Sequence, residues 1–113
     1  MKKHTAKLIL ISLLLMPVLN SYAEEILILP IKGVIELGLS TFIKNSLREA
    51  KDGGIKTVIL EMDTPGGRVD AADIIANALI NYPGETITFV ANQAWSAGSM
   101  IALATDKIIM QPA

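Results

Sequence analysis

Along the chain, unbroken apolar runs alternate with segments in which apolar residues recur every three or four positions. The run from Glu25 to Ile31 (EILILPI) predicts a first strand, and Pro30 favours an edge position or a strand end because proline cannot donate to a ladder. Leu39, Phe42, Ile43, Leu47 and Ala50 repeat at helical spacing, with Lys44, Arg48 and Lys51 on the other side and Gly53-Gly54 as the stop. Lys56 to Met62 is a continuous apolar strand, the pattern expected when both faces of a parallel sheet are buried. After a Pro-Gly-Gly turn, Val69, Ala72, Ala76 and Leu79 mark a second helix. Its opposite stripe is Asp70, Asp73, Asn77 and Asn81, and Pro83-Gly84 ends it. Thr86 to Ala91 predicts a third strand, leading through a turn into a small-residue helix from about Ser96 to Thr105, and Lys107 to Met110 begins a fourth strand. The order β-α-β-α-β-α-β specifies an α/β fold with parallel strands and right-handed crossovers.

The amino-terminal stretch stands apart from this alternation. Lys2, Lys3 and Lys7 precede an apolar run from Leu8 to Val18 and a small-residue stretch ending Ser21-Tyr22-Ala23, the three parts of a secretory signal, with cleavage expected after Ala23. An uncleaved anchor is the competing reading, against which the run is shorter than the roughly 20 residues a spanning helix needs. In either case the positive end stays in the cytoplasm and the remainder crosses the membrane. Residues 24–113 then hold seven of the ten basic residues and all eleven acidic ones, a net charge of −4 that gives nucleic-acid binding no electrostatic support. The chain has no cysteine, and its one histidine, His4, lies inside the signal, so thiolate chemistry, disulfides, histidine catalysis and histidine metal sites are excluded from the mature segment. No acidic run has the spacing of an EF-hand loop, and nothing asks for a cofactor. A segment of this size makes one small domain, burying about 60 to 65% of its unfolded surface.

Two motifs carry candidate chemistry: Asp63-Thr64-Pro65-Gly66-Gly67 after the second strand, and Ala94-Trp95-Ser96-Ala97-Gly98-Ser99-Met100 after the third. In parallel α/β sheets, ligands gather beyond the carboxyl ends of the strands, where both motifs fall. Pro65 holds Thr64 extended, Pro65-Gly66 suits the centre of a type II turn, and Gly67 is free to aim its N–H at a ligand without a side chain in the way. Ser96 is placed to open a helix, whose free N–H groups favour a developing oxyanion, with the Ala97 N–H as the natural second donor. The bland alternatives are equally concrete. Asp63 or Thr64 would cap the following helix, Ser96 or Ser99 would be an N-cap or a packing residue, Trp95 and Met100 would sit in the core, and Lys107 would be a solvated ammonium at a strand start.

Together the motifs resemble those of the Clp-protease-like, crotonase-fold serine proteases, and within them the N-terminal protease domain of the NfeD proteins of stomatin operons. The resemblance runs over nearly all of residues 24–113. It includes Gly33-Val34-Ile35, the run from Val58 to Gly67 and the run from Ala94 to Asp106. It implies a Clp-protease/crotonase-like spiral of β-β-α units, of which this chain is the N-terminal half. It also implies a Ser96 nucleophile, an oxyanion hole from the Gly67 and Ala97 N–H groups, and Gly66 supporting the turn. The activity it implies is that of a membrane-associated endopeptidase cutting hydrophobic segments, with stomatin-like proteins as substrates or partners; the apolar surface such a partial domain exposes points to a homo-oligomer, a dimer, as the assembly.

Such proteases use a Ser–Lys dyad whose lysine lies beyond the fourth strand, and no mature lysine here sits in a matching segment. The chain is therefore expected to be a truncated or split-gene piece, inactive by itself, with apolar surface exposed where further strands would pack. Two other readings stand beside this one. One is a non-catalytic remnant that binds hydrophobic peptides or a stomatin-like partner. The other is an acyl-CoA-processing crotonase relative, against which stand the export signal and the serine among small residues. A Ser-His-Asp hydrolase fails because Ala94-Trp95-Ser96-Ala97-Gly98 lacks the first elbow glycine and no histidine follows.

Overall fold

The computed structural model describes residues 23–112. The signal-like segment up to Tyr22 lies outside the described residues. Four strands, β1 (Ile26–Lys32), β2 (Thr57–Thr64), β3 (Glu85–Ala94) and β4 (Lys107–Met110), alternate with three helices, α1 (Leu37–Asp52), α2 (Val69–Ile80) and α3 (Ala97–Leu103). The strands form one parallel sheet in the order β1-β2-β3-β4. The alternation and the parallel pairing match the sequence expectation, and Pro30 does lie on an edge strand.

Side chains alternate across the sheet, and the two faces differ. Leu29, Ile31, Val58, Leu60 and Met62 on one face join Ile43, Leu47 and Ala50 of α1, Ala71, Ala72, Ile75 and Leu79 of α2, and Ala97, Ile101 and Ala102 of α3 in one core cluster. The opposite face, with Ile28, Ile59, Ile87, Phe89 and Ile109, lines an open apolar hollow of about 330 Å³. The expectation that β2 is buried on both faces is corrected accordingly. Only Val58, Leu60, Met62 and Thr64 are buried, and the residues between them are half-buried. A continuous apolar run reports hydrophobic side chains on both faces but cannot report whether a second layer covers them.

Local signals set the helix ends. Glu36 opens α1 with its carboxylate, accepting from the N–H groups of Gly38 and Leu39 at 2.7 and 2.6 Å. The turn from α3 into β4 is held by Asp106, whose carboxylate accepts from the Thr86 N–H at 2.8 Å and the Thr86 hydroxyl at 3.2 Å. Strand β3 runs three residues past the expected end at Ala91, because Thr64 pairs with Ala94 across a register shift that pulls polar Asn92 and Gln93 into the strand.

Helix α3 sits tightly on β2. A Cβ on Gly98 would stand 2.5 Å from Thr64 Cγ2, a clash that side-chain rotation does not relieve at the buried, β-branched threonine. Gly98→Ala is therefore expected to destabilise the domain by about 2 kcal/mol. Thr64→Ser, which removes only Cγ2, is expected to restore most of that loss. A double-mutant cycle from urea unfolding reads the coupling directly, and additive losses would show that the two groups do not meet.

Candidate active site

Both motifs lie beyond the carboxyl ends of their strands and meet there. The Thr64 carbonyl accepts the Trp95 N–H at 3.1 Å. A Cβ on Gly66 would lie 2.9 Å from Ser96 Cβ and 3.4 Å from Ala97 N, so the glycine turn and the serine turn are in van der Waals contact. Gly66 has φ of 107°, a region open to glycine, and a side chain there would be doubly excluded by strain and by Ser96.

The hydrogen bonding of the first turn differs from a closed type II turn. The Thr64 carbonyl accepts from Trp95 and not from Gly67. The segment Gly66–Arg68 instead forms an isolated parallel bridge with Ile35: the Ile35 N–H donates to the Gly66 carbonyl and the Arg68 N–H to the Ile35 carbonyl, each at 2.9 Å. This pattern skips the Gly67 N–H, which has no acceptor among the described residues. Approach to Ile35 is so close that a Cβ on Gly67 would lie 2.2 Å from the Ile35 carbonyl oxygen.

At the second turn, Ser96 has φ of 52° and ψ of −119°, and it is the non-glycine residue with positive φ among the described residues. This conformation costs a residue with a Cβ about 1 to 3 kcal/mol and is held by its surroundings. The Gly98 N–H donates to the Trp95 carbonyl at 2.8 Å and the Ser99 N–H to the Ser96 carbonyl at 2.9 Å. The Ser99 hydroxyl donates to the Ala94 carbonyl at 2.6 Å. Ser96 itself is exposed and its hydroxyl makes no capping bond, while the N–H of Ala97, like that of Gly67, has no acceptor among the described residues.

Thr64 does not cap α2: its hydroxyl accepts from Gly66 N–H, and the helix starts after Arg68 without a side-chain cap. Asp63 accepts from the Asn92 side chain at 3.2 Å. Ser99 is a local brace. Trp95, expected in the core, is 66% exposed, because β3 extends to Ala94 and turns the indole outward. Met100 packs against the core as expected. Val34 and Val69 are exposed beside the same turns, so the rim of this site is apolar. The residue whose role the sequence left unassigned is Ile35. Only the segment Gly33-Val34-Ile35 carried a signal, through its place in the resemblance.

Three cations of the domain are paired with carboxylates. Arg68 is held by Asp70 through two bonds of 3.0 and 2.7 Å. These bonds raise the guanidinium's pKa and lower that of the carboxyl. Lys32 pairs with Glu61 at 2.9 Å. Lys107 donates to Glu85 at 2.6 Å, and that bond raises its pKa, the opposite of what a general base needs. It also pairs with Ile87 near the start of β3, so at about 3.3 Å per residue it lies more than about 20 Å from Ser96. Tyr82, whose hydroxyl donates to the Ile55 carbonyl, is raised by burial. For both groups, folding holds the proton more tightly than the unfolded chain does. Their stabilisation is complete below the unfolded values and is lost as pH rises through the folded ones, from about pH 10 upward. We expect the urea midpoint to fall more steeply above about pH 10 in the parent than in Tyr82→Phe.

The N-terminal-domain model of the NfeD1b family matches residues 25–113. The chain belongs to this family. The membrane protein NfeD1b of Bacillus subtilis is 36% identical over 96 residues, covering 83% of this chain and 22% of that protein. An uncharacterized protein of Methanocaldococcus jannaschii is 45% identical over 83 residues, covering 73% of this chain and 28% of its own length. This NfeD1b-family chain therefore spans only about a quarter of the curated relatives it matches. Among solved structures, the 1510-N membrane-bound stomatin-specific protease in complex with a substrate peptide superposes with a TM-score of 0.71 at 28% identity, covering 79% of this chain and 42% of that one. The 1510-N protease of Pyrococcus horikoshii gives 0.68 at 32% identity over 78% and 46%. ClpP1 of Listeria monocytogenes, in a variant form, gives 0.67 at 22% identity over 69% and 46%, a likeness of fold alone. The Clp-protease-like fold and the protease relationship follow. Among the described residues no helix is long and apolar enough to cross a membrane.

Proposed function

We propose that residues 24–113 are the nucleophile-bearing part of a serine endopeptidase that cuts hydrophobic segments of membrane-associated, stomatin-like proteins. The observation that carries this reading is that the N–H groups of Gly67 and Ala97 lack acceptors among the described residues and lie on two turns that touch at an exposed, strained Ser96. In this mechanism the Ser96 Oγ attacks the scissile carbonyl carbon and its proton passes to a neutral lysine amine. The carbonyl oxygen, now an oxyanion, is held by the N–H groups of Gly67 and Ala97, with Gly66 fixing the turn. Collapse of the adduct breaks the C–N bond, the lysine protonates the leaving amine, and water hydrolyses the acyl-serine.

The base is a lysine from beyond the described residues. The described residues are accordingly inactive by themselves: Lys107 is distant and paired, and Lys32 is engaged by Glu61. A Ser–Lys chemistry is supported by the relatives, since 1510-N was solved both with a serine-to-alanine and with a lysine-to-alanine substitution. Hydrophobic substrates suit the exposed Val34, Val69 and Trp95 at the rim. The signal-like sequence of residues 1–23 supports export to the outer side of the cytoplasmic membrane, and a dimer accounts for the apolar sheet face.

A fluorophosphonate probe on the full-length protein tests the reading. Labelling mapped by mass spectrometry to the peptide containing Ser96, and blocked by a hydrophobic stomatin-derived peptide, is the expected result. Labelling elsewhere overturns it. The second reading, a non-catalytic binder of hydrophobic peptides or a stomatin-like partner, draws on the absence of a lysine beside Ser96 among the described residues. It predicts peptide binding with no labelling at all.

A further inference from the structure

Thr64 is a fully buried polar residue whose functional groups reach four separate segments around Ser96. Its hydroxyl donates to the Gly33 carbonyl at 2.6 Å and accepts the Gly66 N–H at 3.1 Å, so both its donor and an acceptor site are used. Its carbonyl takes the Trp95 N–H at 3.1 Å, and its Cγ2 packs where α3 passes at Gly98. The Gly33 loop is itself tied to β2 by a 3.0 Å bond from the Gly33 N–H to the Asp63 carbonyl, which gives the hydroxyl a fixed anchor. A capping threonine would satisfy one helix N–H; this one instead links the loop after β1, the glycine turn and the serine turn.

We infer that Thr64 is a positioning residue that sets the separation of the Gly67 and Ala97 N–H groups by holding Gly66 against Ser96 through its hydroxyl. The inference rests on the proposed peptidase reading and adds to it the group that aligns the oxyanion donors. Without the hydroxyl, the Gly66 N–H loses its acceptor and the open turn loses its tie to the Gly33 loop. Small displacements of this kind act on the transition state more than on substrate binding, because only the developing oxyanion needs both donors in register.

The test compares Thr64→Val and Thr64→Ser with the parent in the full-length protein, on a hydrophobic peptide, with Ser96→Ala alongside. Thr64→Val is expected to lower kcat about 10- to 100-fold with KM changed less than about 3-fold, and Thr64→Ser to stay within about 3-fold of the parent. Amide spectra are expected to show the Gly66 and Gly67 resonances shifted in Thr64→Val and parental in Thr64→Ser. Equal losses in both variants, a parental kcat in Thr64→Val, or a loss carried entirely by KM overturns the inference. If Thr64→Val does not fold, Thr64→Ala takes its place under the same criteria, and failure of both to fold assigns Thr64 a purely structural role and overturns it too. Ser96→Ala separates the two layers: if it cleaves at the parental rate the peptidase reading itself has failed, whereas its inactivity beside an active Thr64→Val removes only Thr64.

Discussion

If the proposed peptidase reading holds, Ser96→Ala is expected to lower kcat for peptide cleavage by the full-length protein at least about 10³-fold, with KM nearly unchanged and the fold intact. Loss of a nucleophile removes the covalent path altogether, and the residual rate comes from the oxyanion donors and binding. Structure makes the second half of this expectation specific. Ser96 hydroxyl has no partner in the described residues, so its deletion leaves no buried group unsatisfied, and alanine inherits the same strained φ of 52°. Glycine does not inherit that strain. Ser96→Gly is expected to be just as inactive yet more stable by about 1 kcal/mol, the relief of strain being partly offset by the greater freedom of glycine in the unfolded chain. Chemical unfolding of the three proteins decides the matter. A stable, fully active Ser96→Ala would remove Ser96 from the mechanism, and a Ser96→Gly no more stable than Ser96→Ala would show that the turn holds no strain.

Gly67→Ala is expected to destabilise the domain by about 3 kcal/mol or more, a large share of the total stability of a domain of this size. The added Cβ meets backbone at every approach: the carbonyl oxygen, the nitrogen and the carbonyl carbon of Ile35 at 2.2, 2.6 and 2.9 Å. A flexible side chain would step aside, but Ile35 is fully buried and bridged to Gly66 and Arg68 on either side of Gly67. Relief therefore demands breaking the bridge, and with it the arrangement that leaves the Gly67 N–H unbonded. Thermal unfolding followed by circular dichroism measures the loss. A midpoint within about 3 °C of the parent would mean that the bridge yields cheaply and that glycine is not required there.

Much of this was legible in the sequence. Helical spacing in Leu39, Ile43, Leu47 and Ala50 and the apolar runs around Val58 and Ile87 identified α1, β2 and β3, because burying one stripe or one face is a demand that local sequence states openly. Gly66, Gly67, Ser96 and Ala97 could be named as site candidates for a similar reason. Glycine, proline and small residues beyond the ends of successive parallel strands restrict what the backbone there can do, and the strand order brings those ends together. Tertiary structure decided what depends on partners distant in the chain. The bridge to Ile35 pairs Gly66 and Arg68 and passes over the Gly67 N–H. The pairing of Thr64 with Ala94 lengthened β3 and turned Trp95 out to solvent, and the neighbours of Thr64 converted an ordinary turn residue into a link between three loops. Nothing in the β2 run distinguishes a sheet covered on two faces from one covered on one, since hydrophobicity records that a side chain prefers burial and only the packed chain determines which side chains receive it.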